Sequence, residues 1–169
     1  MNFRRARDLF TASAFACAAF IWGLAVATSA SRIDAVTPLV LGDLIAIIAY
    51  ALGAVTARTA VGIIVAVLAA PYFLFDGFLR VLSGGLATDG VRPVSALTFY
   101  HGELSVYPLL GCALILGLSF ALRQRAPVAW VVALIVSAAM LVLSLFGRDG
   151  AMIAALWYVA MAFDFVRKA

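Results

Sequence analysis

Charge is scarce in this chain: of 169 residues, 12% are Asp, Glu, Lys or Arg and 66% are hydrophobic. A soluble domain carries about a quarter charged residues, so the composition argues against a water-soluble fold. Histidine is nearly absent. The single His101 excludes bis-histidine haem ligation and leaves a typical zinc site without its second imidazole. The two cysteines, Cys17 and Cys112, fall inside apolar runs without C-x-x-C or Cys/His spacing, and read as packing residues. No G-x-x-x-x-G-K-[ST], G-x-S-x-G or H-E-x-x-H occurs. No metal and no cofactor is therefore expected. The net charge of +4 does not point to nucleic acid, because the twelve basic residues stand singly at the ends of apolar runs rather than in one patch.

What the chain does have is long apolar runs. A helix crossing about 30 Å of hydrocarbon needs about 20 apolar residues, and six such helices use nearly the whole chain. The expected fold is an all-α integral membrane protein, a single polytopic domain over residues 1–169. Its bundle comprises about six transmembrane helices, over residues 9–29, 38–57, 60–82, 95–122, 127–146 and 151–166. The fourth is long, is interrupted by Pro108, and is expected to break near 103–108. The first follows Arg4, Arg5 and Arg7 as a secretory signal would, but its apolar run of about 20 residues exceeds the roughly 7–15 of a signal core. It is read as a retained helix; cleavage near Ala30 would leave five.

Pro38 suits a first helical turn, where its missing N–H costs nothing. Arg58 and Thr59 alone separate the second and third helices, which predicts a tight hairpin. Residues 83–94 have the composition of a loop, and Gly147-Arg148-Asp149-Gly150 reads as a turn. Pro71 in the third helix predicts a kink just before Tyr72.

Orientation follows from the basic residues, which cytoplasmic flanks retain. One side holds Arg4, Arg5, Arg7, Arg58, Arg123, Arg125, Arg167 and Lys168; the other holds Arg32, Arg80, Arg92 and Arg148. Eight against four places both termini inside, in what is expected to be a bacterial plasma membrane. Small residues recur every fourth position, as in Ala12 and Ala16, Ala14 and Ala18, Gly62 with Ala66 and Ala70, and Ala151 with Ala155. Such stripes let helices approach closely. Three helices per half would make the halves inverted in the membrane, and the ends Tyr72 to Arg80 and Tyr158 to Arg167 echo one another only with gaps. In size, helix number and the alanine stripe on its first helix the chain resembles, in architecture alone, the substrate-binding subunits of energy-coupling-factor vitamin transporters.

Ionisable groups inside a membrane cost about 2.5–3.5 kcal/mol at a helix centre and tend to mark function. Asp43 lies about 8 Å in from the outer end of the second helix at 1.5 Å per residue. Asp76 and Arg80 share the last turns of the third, spaced for a helical ion pair. His101 and Glu103 stand near the start of the fourth, where an interfacial role beside Tyr100 and Tyr107 is the plainer reading. Asp43, Asp76, Arg80, His101 and Glu103, joined by Tyr72 and Trp157, form the candidate outward-facing ligand site; Asp164 is given only a local ion pair with Arg167 and Lys168. The run Asp76-Gly77-Phe78-Leu79-Arg80 lacks the further aspartates of CDP-alcohol phosphotransferases, and that chemistry is rejected.

Three functions fit. The leading one is binding or transport of a small polar or amphipathic ligand. The second is a membrane-embedded enzyme using Asp43, Asp76 or Glu103 as general acid or base on a lipid or isoprenoid; nothing in the sequence decides whether the protein is an enzyme. The third is a structural or assembly subunit of a larger membrane complex. The expected partners are the lipid bilayer, a small-molecule or lipid ligand, and partner membrane subunits or further copies of the chain.

Overall fold

An apolar run can satisfy its backbone N–H and C=O groups within itself only by coiling into a helix. The computed structural model describes the backbone of residues 3–30, 36–88, 106–145 and 153–169, and the side chains of 3–24, 40–78, 109–143 and 153–169. Among the described residues there are six α-helices and no strand. They are α1 (Phe3–Ala30), α2 (Val36–Ala57), α3 (Ala60–Thr88), α4 (Val106–Leu122), α5 (Pro127–Leu145) and α6 (Ala154–Lys168). Val40–Ala57 and Ala60–Phe78, each of mean hydropathy 2.0, are long and apolar enough to cross a membrane. Leu109–Leu122 and Pro127–Leu143 are shorter apolar helices.

Several boundaries differ from the hydropathy reading, for one reason: apolarity marks where a helix would meet hydrocarbon, not where its hydrogen bonding begins. The charged residues Arg4 to Asp8 belong to α1. Residues 83–88, read as loop from their glycines, continue α3, since each glycine weakens a helix by about 1 kcal/mol without removing a hydrogen bond. α3 also continues through Pro71. Pro108, expected to interrupt a helix, sits in the first turn of α4, where no intrahelical bond is lost. The remainder of the expected break, like residues 89–105 as a whole, lies outside the described residues.

Each helix packs on the next in sequence, and α6 returns onto α1, so the six close into a ring, with α2 also touching α4 across it. The inner faces are built from small residues: Ala12 and Ala18 on α1, Ala46, Ala49 and Ala54 on α2, Ala69 on α3, Ala129 and Ala133 on α5. Not every expected stripe faces inward. Ala16 is exposed, and so is Cys17, leaving Cys112 as the one cysteine in the interior. Where α3 meets α4, a Cβ at Gly117 would lie 2.7 Å from Cγ2 of Val65, so glycine there sets the interhelical distance. α1 and α2 are joined by the buried hydroxyls of Thr11 and Thr56, 3.2 Å apart.

The turns are tightly determined. Arg58, just past α2, takes the left-handed conformation at φ 54°, and Thr59 caps α3 by accepting from Gly62 N–H at 3.1 Å. The α4–α5 turn is clamped from outside. Pro127 opens α5, and the preceding Ala126 has no side chain that can cap it. Asp164 of α6 supplies the cap instead: it is fully buried, and its Oδ2 accepts from Ala129 N–H at 2.9 Å. Its other oxygen lies 4.0 Å from Arg167. The surface ion pair expected of Asp164 is thus the lesser of its contacts. Lys168 Nζ donates to Gln124 C=O at 2.9 Å, and Arg125 reaches Asp8 of α1 at 3.5 Å.

Replacing Asp164 with Ala should destabilise the protein by about 1–2 kcal/mol, the cost of a lost cap, with Asp164→Asn closer to wild type because it keeps an acceptor oxygen. Thermal unfolding in a single detergent checks this; an effect no larger than that of exposed Val166→Ala would refute the capping role.

Candidate functional site

Helical spacing decides which polar groups face inward. On α2 the interior positions include Gly42, Asp43, Ala46, Ala49, Tyr50 and Gly53, and on α3 they include Ala69, Phe73, Asp76 and Gly77. Asp43 and Asp76 are therefore carried inside by the same periodicity that buries alanine and phenylalanine around them. Only 1% of Asp43 and 3% of Asp76 is exposed. A Cβ at Gly77 would stand 3.7 Å from Asp43 Oδ2, so the Asp43 carboxylate rests against α3 at the residue following Asp76.

Beside them is a small cavity with room of about 30 Å³ for the centres of water-sized molecules, enough for about two waters. Trp22, Tyr50, Tyr72, Asp76, Gly111 and Tyr158 contribute to its wall. Five of the six helices meet here through those residues. Gly111 is required by Tyr72, whose hydroxyl would lie 2.7 Å from a Cβ at that position. A carboxylate, three phenols and an indole N–H can together accept and donate hydrogen bonds, while the ring faces attract apolar or cationic groups.

The wall is held by an aromatic chain running through the ring of helices. Tyr72 meets Phe73 at 5.1 Å, Phe73 meets Tyr50 at 5.6 Å, Tyr50 meets Trp157 at 5.6 Å and Trp157 meets Phe15 at 5.7 Å. Phe15 then stacks on Phe165 at 6.3 Å. Trp157 is fully buried and donates its indole N–H to Ser119 Oγ at 2.7 Å, which ties α6 to α4.

No family model, curated protein or solved structure matches the chain.

Of the residues singled out from sequence, Asp76 and Tyr72 line the cavity, and Asp43 stands next to α3 behind Asp76. Trp157 is not among the lining residues; it packs against Tyr158, with ring centroids 5.0 Å apart. Arg80 lies four positions beyond Asp76 on α3. His101 and Glu103 lie outside the described residues. Among the described residues no group of three or more His, Cys, Asp or Glu is placed to hold a metal ion. Sequence reading missed Trp22, Tyr50 and Gly111. Tyr50 was reachable, being seven residues from Asp43 and hence on the same face, whereas the need for glycine at 111 depends on where Tyr72 of another helix ends.

Trp157→Phe should cost about 1–3 kcal/mol by leaving the Ser119 hydroxyl buried without its donor. A double-mutant cycle with Ser119→Ala, read by thermal unfolding, is expected to give a coupling of about 1 kcal/mol; strict additivity would show that the bond contributes nothing.

Proposed function

We propose that this chain is a membrane protein of six spans with both termini on the cytoplasmic side, and that the region around Asp43 and Asp76 binds or transports a small polar or amphipathic ligand. The observation that carries the ligand reading is the burial of two carboxylates on neighbouring helices beside an aromatic-walled cavity. Such groups are costly in a bilayer, which favours a functional reason for retaining them.

Support for the membrane comes from which side chains face outward. Alanines and aromatic rings pack the interior, while Ile63, Ile64, Val67, Leu68, Leu74 and Phe78 of α3 are each more than half exposed. α5 repeats the pattern with Val131, Ile135 and Val142 outside and Ala129, Ala133 and Val136 inside. A monomer in water rarely exposes contiguous apolar patches larger than a few hundred Å², whereas lipid is the natural solvent for such a surface. Orientation is supported by the gathering of Arg4, Arg5, Arg125 and Lys168 at the end opposite Asp43 and Asp76, as basic cytoplasmic flanks would be.

The test is native mass spectrometry of the protein released from lipid nanodiscs, comparing wild type with Asp43→Asn and Asp76→Asn. A co-purifying small molecule should fall at least about tenfold in either variant, the equivalent of one lost hydrogen bond to a charged group, with expression and thermal stability retained. Undiminished ligand in both variants would overturn the site. Partner subunits alone, retained equally in all three proteins, would replace ligand binding with an assembly role. Monodisperse protein in water without detergent would overturn the membrane assignment itself.

A further inference from the structure

The opposite end of the molecule carries a second arrangement of polar groups, unrelated to the buried carboxylates. Between the α2–α3 turn and the α4–α5 turn lies a pocket with room of about 250 Å³ for water-sized centres. Its polar wall is Thr59, Arg123, Gln124 and Arg125, and its apolar wall includes Val61 and Phe120, 41% and 46% exposed. No acidic side chain lines it. The larger neighbouring hollow, about 420 Å³, shares Arg125 but includes the Asp8 carboxylate among its lining residues, which opposes an anion there.

The two guanidinium groups of the smaller pocket belong to a turn that is already fixed in place. Lys168 holds Gln124 C=O, Asp8 holds Arg125, and Asp164 caps the helix that follows. Arg123 lies over the Phe120 ring, 4.1 Å from its centroid, and donates to Phe120 C=O at 3.3 Å. That bond occupies one of the five N–H donors of a guanidinium. Ordering long arginine side chains in advance reduces the entropy lost when an anion binds, and a planar guanidinium matches phosphate oxygens two at a time.

We propose that the pocket between these two turns binds the phosphate of an anionic phospholipid headgroup, Arg123 and Arg125 facing the phosphate and Val61 and Phe120 the first acyl carbons. The pairing of cationic and apolar walls selects a lipid over a free anion, because a soluble phosphate gains nothing from Val61 and Phe120. The inference rests on the membrane reading given above, but not on the ligand reading at Asp43 and Asp76.

The experiment uses the full chain in nanodiscs of phosphatidylglycerol or phosphatidylcholine with the same acyl chains, followed by native mass spectrometry. Wild type should retain phosphatidylglycerol at least about fivefold better than phosphatidylcholine, a difference of about 1 kcal/mol. Arg123→Gln with Arg125→Gln should abolish that preference, Arg123→Lys with Arg125→Lys should keep most of it, and Arg4→Gln with Arg5→Gln should leave it intact. The lysine pair guards against misfolding, since it preserves charge in the same turn. Equal retention of the two lipids by wild type, or undiminished preference in the glutamine pair, would overturn the proposal. Displacement of the lipid by millimolar inorganic phosphate would assign the pocket to a soluble anion and overturn the lipid assignment. Failure of insertion into nanodiscs would instead strike the membrane reading, and loss of a small molecule in Asp43→Asn would leave this end unaffected.

Discussion

Trp157 joins four of the six helices. Its ring touches Phe15 of α1 and Tyr50 of α2, its N–H binds Ser119 of α4, and its own helix α6 closes the ring of six. A large ring at one point is what allows alanines to fill much of the rest of the interior. Tyr50 and Tyr158, which line the cavity beside Asp76, both pack against this ring. An unpaired indole N–H buried in an apolar setting costs about 1–3 kcal/mol, and the Ser119 bond offsets that cost.

The two ends of the ring are stabilised by different means. At the basic end, covalent turns are short and their loose groups are tied by charged side chains from elsewhere in the chain: Asp164, Lys168 and Asp8 all act on the α4–α5 turn. Toward the cavity, packing is steric and aromatic, and glycine at 111 makes room for the Tyr72 hydroxyl.

Much of the helical outline was legible from sequence because hydrophobic runs, Pro127 and the Arg58-Thr59 hinge are local signals. α2 and α5 differ from the hydropathy reading by no more than two residues at any end. What stayed hidden depends on pairs far apart in the chain. Asp164 looked like a surface acid beside Arg167, because nothing local reveals that the uncapped start of α5 lies against it. Trp157 was open to two readings from its depth in the helix, cavity lining or core packing, and its bond to Ser119, 38 positions away, had no local signal. The alanine stripes erred at Ala16 for a related reason: alanine is equally at home on either face, so only the large residues Phe15 and Trp22 mark the inner side of α1. The inward placement of Asp43 and Asp76 was readable as a cost that must be met, and their proximity was not, since it depends on how α2 turns about its own axis against α3.

The size of the cavity constrains how any ligand at Asp76 would be received. Room for about two waters does not admit an organic molecule, so binding on the proposed reading requires some wall residue to move. Trp22, Tyr50 and Tyr158 are 4%, 1% and 2% exposed and are enclosed by neighbouring helices, whereas Tyr72 is only partly buried. Tyr72 follows Pro71, which leaves the carbonyl of Val67 without its usual intrahelical donor. A helix turn missing one bond deforms at less cost than its neighbours. The phenol of Tyr72 is thus the part of the wall whose displacement disturbs least, and it stands on the same helix as the carboxylate that its movement would uncover.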